Sequence, residues 1–350
     1  MTPRERLKLV YRGGRADRVP WTPIIDGTTL STYPQEIIQK GIIDFTQEMG
    51  ADVLFRGGAV SIRNPVVEVL RHSDSHFGYV EYQTKVGSLY EKYKGSRLVE
   101  HQIRTVEDYK IMEYILENQE CVENYDAFLS ADQAVGNAGI VTVGIGPSPV
   151  QRLLQFEMGV ERFCYDLFDH TQETENLMAL MHEKDKEVYQ VAAASPAEFI
   201  MLYENTSTTM ISPGIYERYS LKHVRDFVDI MHRHNKVAIV HMCGKLNKLL
   251  PLIKKTGLDA IDCLTPEPTG DVNFSDAYRI FGDGFVIHGI LDPSKFAQRP
   301  IPEIEKSIEA LLTADVLSKP FVFCTAADGL AGIPIEKFQA IGKIMQKYKL

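Results

Sequence analysis

No run of about 18 apolar residues occurs anywhere in this chain of 350 residues, so no membrane-spanning helix is expected. Nor is there a dense basic cluster. Lys and Arg number 38 against 47 Asp and Glu, for a net charge of −9, and a nucleic-acid binder would carry a basic stripe. Cysteine is scarce. Five residues, an odd count, suit reduced thiols better than a disulfide framework, and they leave any convergent pair free for metal binding or catalysis. Met1-Thr-Pro-Arg-Glu-Arg6 is charged and has no apolar centre, unlike a secretory signal. Low-complexity segments and short repeats are also missing. These absences point to a globular protein of the cytoplasm that acts on small molecules.

What is present is a regular alternation, clearest in the second half. Phe199–Tyr203, Val237–Val240, Ala260–Ile261, Phe285–Ile287 and Phe321–Phe323 read as short buried strands. Between them lie amphipathic segments: Pro213 to His234, with Leu221, Val224, Val228 and Met231 on one face, then stretches around Leu246–Ile253, Phe274–Phe281 and Ile304–Leu312, and a last one from Pro334. Short apolar strands separated by 3.6-period helices mean parallel βα units. Their number and spacing predict a (β/α)8 TIM barrel, an α/β fold, as one domain over 1–350. Upstream, Gly139–Gly144 reads as a strand, and helices are expected over Val150–Met158, Val160–His170 and Thr171–Ala194. Residues 66–71, 79–84 and 88–93 resemble a small antiparallel unit with one exposed face, so about 60–135 is expected to be a cap or insertion on an elaborated N-terminal segment.

The sharpest chemical feature is His241-Met-Cys243-Gly244, directly after the strand Val237–Val240. Catalytic groups of a barrel sit at the C-terminal ends of its strands. On an extended chain end, residues two apart point the same way, so His241 and Cys243 form half of a zinc site. Two cysteines at other strand ends offer a third ligand, Cys324 and Cys263. A free cysteine there is also a small buried hydrophobe, which is the reading preferred for Cys263. Glu204, just past Tyr203, is a candidate fourth ligand or substrate contact. His288 ends another strand and faces the mouth by the same logic. Cys121 and Cys164 fall in apparently helical stretches, and His232 and His234 suit a helix C-terminus.

Several motifs resemble the uroporphyrinogen decarboxylase superfamily: Thr2-Pro-Arg-Glu-Arg-Leu7, Gly14-Arg-Ala-Asp-Arg-Val-Pro20, Ile211-Ser-Pro213 with Tyr216, and Gly289-Ile-Leu-Asp-Pro293. The resemblance spans nearly the whole chain and implies a (β/α)8 barrel with its site at the mouth. The true decarboxylases of that superfamily carry an N-terminal segment of the type Arg-Gln-Ala-Gly-Arg for substrate carboxylates. The corresponding region here is Pro20-Trp-Thr-Pro-Ile-Ile-Asp-Gly-Thr28, without arginine. The other branch, the corrinoid (cobalamin)-dependent methyltransferases, carries His-x-Cys and a distant Cys as zinc ligands, and His241, Cys243 and Cys324 match that pattern. Cys263 does not. After the last cysteine the family is glycine-rich, whereas this chain continues Thr325-Ala-Ala-Asp-Gly329. The resemblance therefore implies a zinc methyltransferase with His241, Cys243 and Cys324 as metal ligands; the fourth position is open or filled by Glu204, the candidate offered by its place after Tyr203, and these four are the expected catalytic residues. The enzyme would act on a methyl ether or thiol, with a leaning to demethylation from Trp21 and Tyr203 as aromatic walls of the mouth. The chain has no Asp-x-His-x-x-Gly motif, so the corrinoid would arrive on a partner corrinoid protein. The rival expectation is a tetrapyrrole decarboxylase.

Overall fold

The computed structural model describes residues 1–326 and 333–350. Eight parallel strands, β1 (Trp21–Ile24), β2 (Val53–Gly57), β3 (Gly139–Ile145), β4 (Phe199–Tyr203), β5 (Val237–His241), β6 (Ala260–Leu264), β7 (Val286–Leu291) and β8 (Phe321–Ala326), follow one another in chain order around a barrel. Helices surround it. Each strand pairs with the next from β2 to β8, and β8 returns to β1. The seam between β1 and β2 has no continuous ladder. It is joined where the Asp52 amide donates to the Trp21 carbonyl (2.8 Å) and the Trp21 amide to the Asp52 carboxylate (3.2 Å).

That seam explains why the first two strands escape a reading of the sequence. β1 is four residues long and contains Pro23, and proline demotes a strand pattern because it lacks a ladder donor. Trp21 faces the seam with its backbone, so by strand alternation Pro23 does too. The missing N–H falls on the side that has no ladder to lose. Charge then holds this end of the barrel. Arg6 reaches Asp52 (2.6 Å) and Asp17 (2.8 Å), and Arg18 reaches Asp52 (2.8 Å). The opening motif earns its place through this knot, and Thr2 and Glu5 form a reciprocal cap on the helix Pro3–Tyr11.

Two apolar layers follow from the strand period of two. Outward residues such as Ile200, Leu202, Val240, Ile261, Ile287 and Phe323 pack under the helices. Inward residues Ile140, Phe199, Met201, Ile239, Ala260, Val286 and Val322 fill the lower barrel, and Leu7, Val10 and Tyr11 of the first helix close it from below. The barrel is a packed core up to that level, so chemistry is confined to the upper layer.

Between β2 and β3, Val60–Arg63 pairs antiparallel with Glu120–Glu123, and Glu68–Ser73, Gly78–Thr84, Gly87–Lys94 and Arg97–Glu100 form a separate antiparallel sheet. Its first strand is exposed throughout, while Leu89 and Glu91 are buried. Cys121 lies in a strand of this region, not in a helix. The expected helix at Leu246 begins only at Leu250, because the preceding residues turn across the strand ends. The stretches 153–157 and 216–220 are π-helical.

Candidate metal centre at the barrel mouth

The upper layer is built by strand alternation and one irregularity. His241 is the inward-facing last residue of β5, and Asp262 stands opposite it on β6. The register of β6 against β7 then shifts between Asp262 and Leu264, and Cys263 takes a left-handed φ of 64°. A β-bulge of this kind re-aims a side chain at a strand end, and a non-glycine residue adopts that backbone only under constraint. As a result the side chains of both Asp262 and Cys263 turn inward. Donor atoms of His241, Asp262 and Cys263 lie within 4.8 Å of one another. Cys263 packs against Cys324 of β8, Ile290 and Ile24.

Cys243 stands at the rim, exposed. Its thiol lies beside His241 and 3.4 Å from the Asn205 side-chain oxygen. Gly244, at φ +127°, follows it; a Cβ there would stand 3.0 Å from Ser207. The left-handed turn and the tight approach together call for glycine.

A charged frame supports the cluster. Asp262 is fully buried and takes three cationic or polar partners: His241 Nδ1 at 2.5 Å, Arg56 at 2.9 Å, and His288 Nδ1. Burial opposes its ionisation, but Arg56 and His288 outweigh burial and hold the carboxyl well below the usual range. Burial likewise works against a charged His241, and Cys263, Asp262 and Cys243 reverse this and raise it. The neighbouring Cys324 thiol, with burial, pushes the Cys263 thiol up. Arg56 also lies over the Tyr203 ring, 5.7 Å from its centroid, and Tyr203 flanks His241 at 5.6 Å. Gly144 makes room for this ring, because a Cβ would meet it at 2.4 Å.

The donors suit a zinc ion. Imidazole and thiolate are its preferred ligands. With Nδ1 of His241 turned to Asp262, Nε2 is left for the metal, the carboxylate–histidine arrangement that fixes a ligand's tautomer. Asp262 itself is poorly placed to ligate, since its oxygens are already engaged.

Among the described residues the close donor group is His241, Asp262 and Cys263; of the other expected cysteine ligands, Cys324 packs against Cys263 outside that group and Cys243 stands at the rim. The structure treats other expected residues differently. Glu204 is fully buried, but its oxygens accept from the Ser148 amide (2.7 Å) and meet the Ser148 hydroxyl (3.0 Å). It is turned toward the helix that starts at Pro149 and does not join the donor group, a correction to its expected place as fourth ligand. Burial pushes its carboxyl up to about 7. His288 is buried below the site, with Nε2 2.7 Å from the Thr22 hydroxyl and Nδ1 engaged by Asp262, so both ring nitrogens are used. Trp21 is not an aromatic wall: strand alternation sends it outward into the helical layer, where it is fully buried and bonds Thr325 at 3.3 Å. Beyond Thr325 and Ala326, the segment that departs from the glycine-rich pattern lies outside the described residues.

Asp262 and Arg56 are the residues a sequence reading misses, and Cys263, offered there as a possible third ligand, is set aside as a buried hydrophobe. An aspartate at an inward position of an apolar strand was a visible signal for Asp262. The bulge that turns Cys263 inward carries no local sequence mark, and Arg56 lies on the unrecognised β2.

A family model described as uroporphyrinogen decarboxylase (URO-D) matches residues 88–348. Among solved structures, a methyltransferase from Methanosarcina mazei is similar at 14% identity and a TM-score of 0.64, with 99% of each chain covered. A D-psicose 3-epimerase from Clostridium cellulolyticum H10 aligns at 13% identity and a TM-score of 0.35, over 64% of this chain and 83% of that one. No curated protein matches. Among the described residues, no helix is long and apolar enough to cross a membrane.

Proposed function

We propose that this chain, which belongs to the uroporphyrinogen decarboxylase family, is a zinc-dependent methyltransferase that moves a methyl group between a small substrate and the corrinoid of a partner protein. One observation carries the reading: the mouth presents a histidine and cysteines where a decarboxylase of tetrapyrroles needs cations. His241 and Cys263 converge there, Cys324 packs against Cys263, and Cys243 stands at the rim. Arg56, the cation that reaches this cluster, is already paired with Asp262. The inward residues of β1 are Thr22 and Ile24, neither of which recognises a carboxylate by charge. The whole-length likeness to a protein described as a methyltransferase supports the same choice.

A bound zinc ion supplies a Lewis acid toward a sulfur or oxygen of the substrate. The chain's own contribution is placement. Asp262 holds the His241 ring by its Nδ1–H and fixes which nitrogen faces the mouth. Arg56 keeps Asp262 charged, and the packed lower barrel excludes water from beneath. Tyr203 provides an aromatic wall beside His241, suited to an aryl methyl ether. With Trp21 in the core, that leaning toward demethylation rests on Tyr203 alone; a thiol acceptor is the other substrate class. Methyl displacement is an in-line reaction, so its rate depends on such positioning. Glu204 acts at one remove: its amide donates to the His241 carbonyl at 2.9 Å, and its carboxyl anchors Ser148.

The test is metal content by elemental mass spectrometry, followed by methyl transfer with a corrinoid protein and panels of methyl ethers and thiols. About one zinc per chain is expected in the wild type, and loss of both zinc and transfer in His241→Ala and Cys324→Ala. A wild type free of zinc, prepared without chelator, or conversion of uroporphyrinogen to coproporphyrinogen, would overturn the reading.

A further inference from the structure

The His-x-Cys pattern puts Cys243 beside His241 as a ligand and gives Cys263 no role. The geometry points to a different division of labour, which rests on the zinc reading above: we infer that Cys263 is a metal ligand, making His241, Cys263 and Cys324 the buried grip on the ion, with Cys243 as the outer, solvent-side ligand.

Three independent features support this. The first is backbone. A bulge and a left-handed φ of 64° at a non-glycine residue turn Cys263 into the barrel. With regular alternation next to the inward Asp262, it would face the helices instead. Strain of this kind persists where the surroundings over-determine it, and it gathers at functional sites. A cysteine that merely filled core space would need no such turn. The second is proximity. The Cys263 sulfur belongs to the group of donor atoms within 4.8 Å formed with His241 and Asp262, and the side chain packs against Cys324 across the barrel. Thus it bridges the β5 donor and the β8 donor. The third is burial. Cys263 is 2% exposed and Cys324 is fully buried, whereas Cys243 is exposed and hydrogen-bonded to Asn205. Donors held in a packed layer are pre-organised, while a rim donor can be exchanged. A catalytic zinc needs one exchangeable position, and Cys243 stands where a substrate entering from solvent arrives.

The deciding experiment is zinc K-edge X-ray absorption on the zinc-loaded wild type, which counts sulfur neighbours without any substitution. Three sulfurs and one nitrogen are expected. Two sulfurs would overturn the three-thiolate site while leaving the zinc reading intact, and a chain that binds no zinc would overturn both. Substitutions then identify the sulfurs. In the cobalt-substituted protein, Cys263→Ser should lower the thiolate-to-cobalt charge-transfer band by about a third, one thiolate of three. Zinc affinity, read by competition with a chromogenic chelator, should fall further in Cys263→Ser than in Cys243→Ser. An unchanged cobalt spectrum and affinity in a folded Cys263→Ser protein, with metal lost in Cys243→Ser, would overturn the proposal. Circular dichroism establishes folding for each variant.

Discussion

Asp262 and Glu204 are both fully buried acids at strand ends on the same face of the barrel, yet they occupy opposite electrostatic environments. Asp262 meets Arg56, His241 and His288 and is held ionised. Glu204 meets no cation among the described residues; burial lifts its carboxyl to about 7, and Ser148 offsets only part of that. A buried carboxylate is stable when several donors share its charge and becomes a neutral acid when they do not. The difference separates a residue that organises the His241–Cys263 cluster from one that anchors the neighbouring helix. Residue type and position at a strand end are the same in kind for both. What differs is which side of the strand each side chain leaves from.

The comparison is broken most severely by Asp262→Asn. The amide removes the charge that compensates Arg56 and disorients His241. Loss of a buried partner costs about 3–5 kcal/mol, and loss of a carboxylate behind a metal-bound histidine lowers metal affinity about 10–100-fold. Chemical denaturation and chelator competition would read the two effects. Wild-type stability and zinc affinity in this variant would mean that Asp262 is not the organising group.

Glu204→Gln is expected to act through pH. The folded carboxyl titrates near 7, above its ordinary value of 4.5. Its stabilising contribution is therefore complete below about 4.5 and is lost as pH rises through 7, since the folded state then must release a proton it prefers to keep. The amount is about 3 kcal/mol. Glutamine imitates the neutral acid, so the variant should be the more stable protein at pH 8 and nearly equal to wild type at pH 5. Asp185, also lifted to about 7 and near Glu204, would retain its own share of the slope. Denaturation midpoints at the two pH values decide this; a variant less stable than wild type at pH 8 would show that burial does not raise the Glu204 carboxyl above its ordinary value.

The smallest effect belongs to Tyr203→Phe. The ring that flanks His241 remains, and only the hydroxyl contact with Arg56 is lost. Zinc content should be unchanged, with stability lower by about 1 kcal/mol. A large loss of zinc would move Tyr203 into the frame that supports the metal ligands.

Much of this was legible from order along the chain. From Gly139 onward the apolar strands and 3.6-period helices mark the βα units, and the residues after each strand mark the mouth, which is why His241, Cys324 and Glu204 were found there. β1 and β2 were not legible, because the first is short and proline-containing and both border a seam without a ladder. Arg56 was missed with them. The inward turn of Cys263 was not legible for another reason. Its neighbours Asp262 and Leu264 look like ordinary strand, and the bulge is visible only against β7.

The sequence by itself determined the architecture, because hydrophobic periodicity is a local property that each βα unit carries independently of the others. It also determined which strand ends bear histidine, cysteine and acid. The tertiary structure alone decided which of these meet. Register, the bulge at Cys263 and the inward or outward exit of each side chain are set by neighbouring strands distant in sequence. Those contacts made Asp262 the charged centre of the site, turned Glu204 toward Ser148, and brought Cys263 to Cys324.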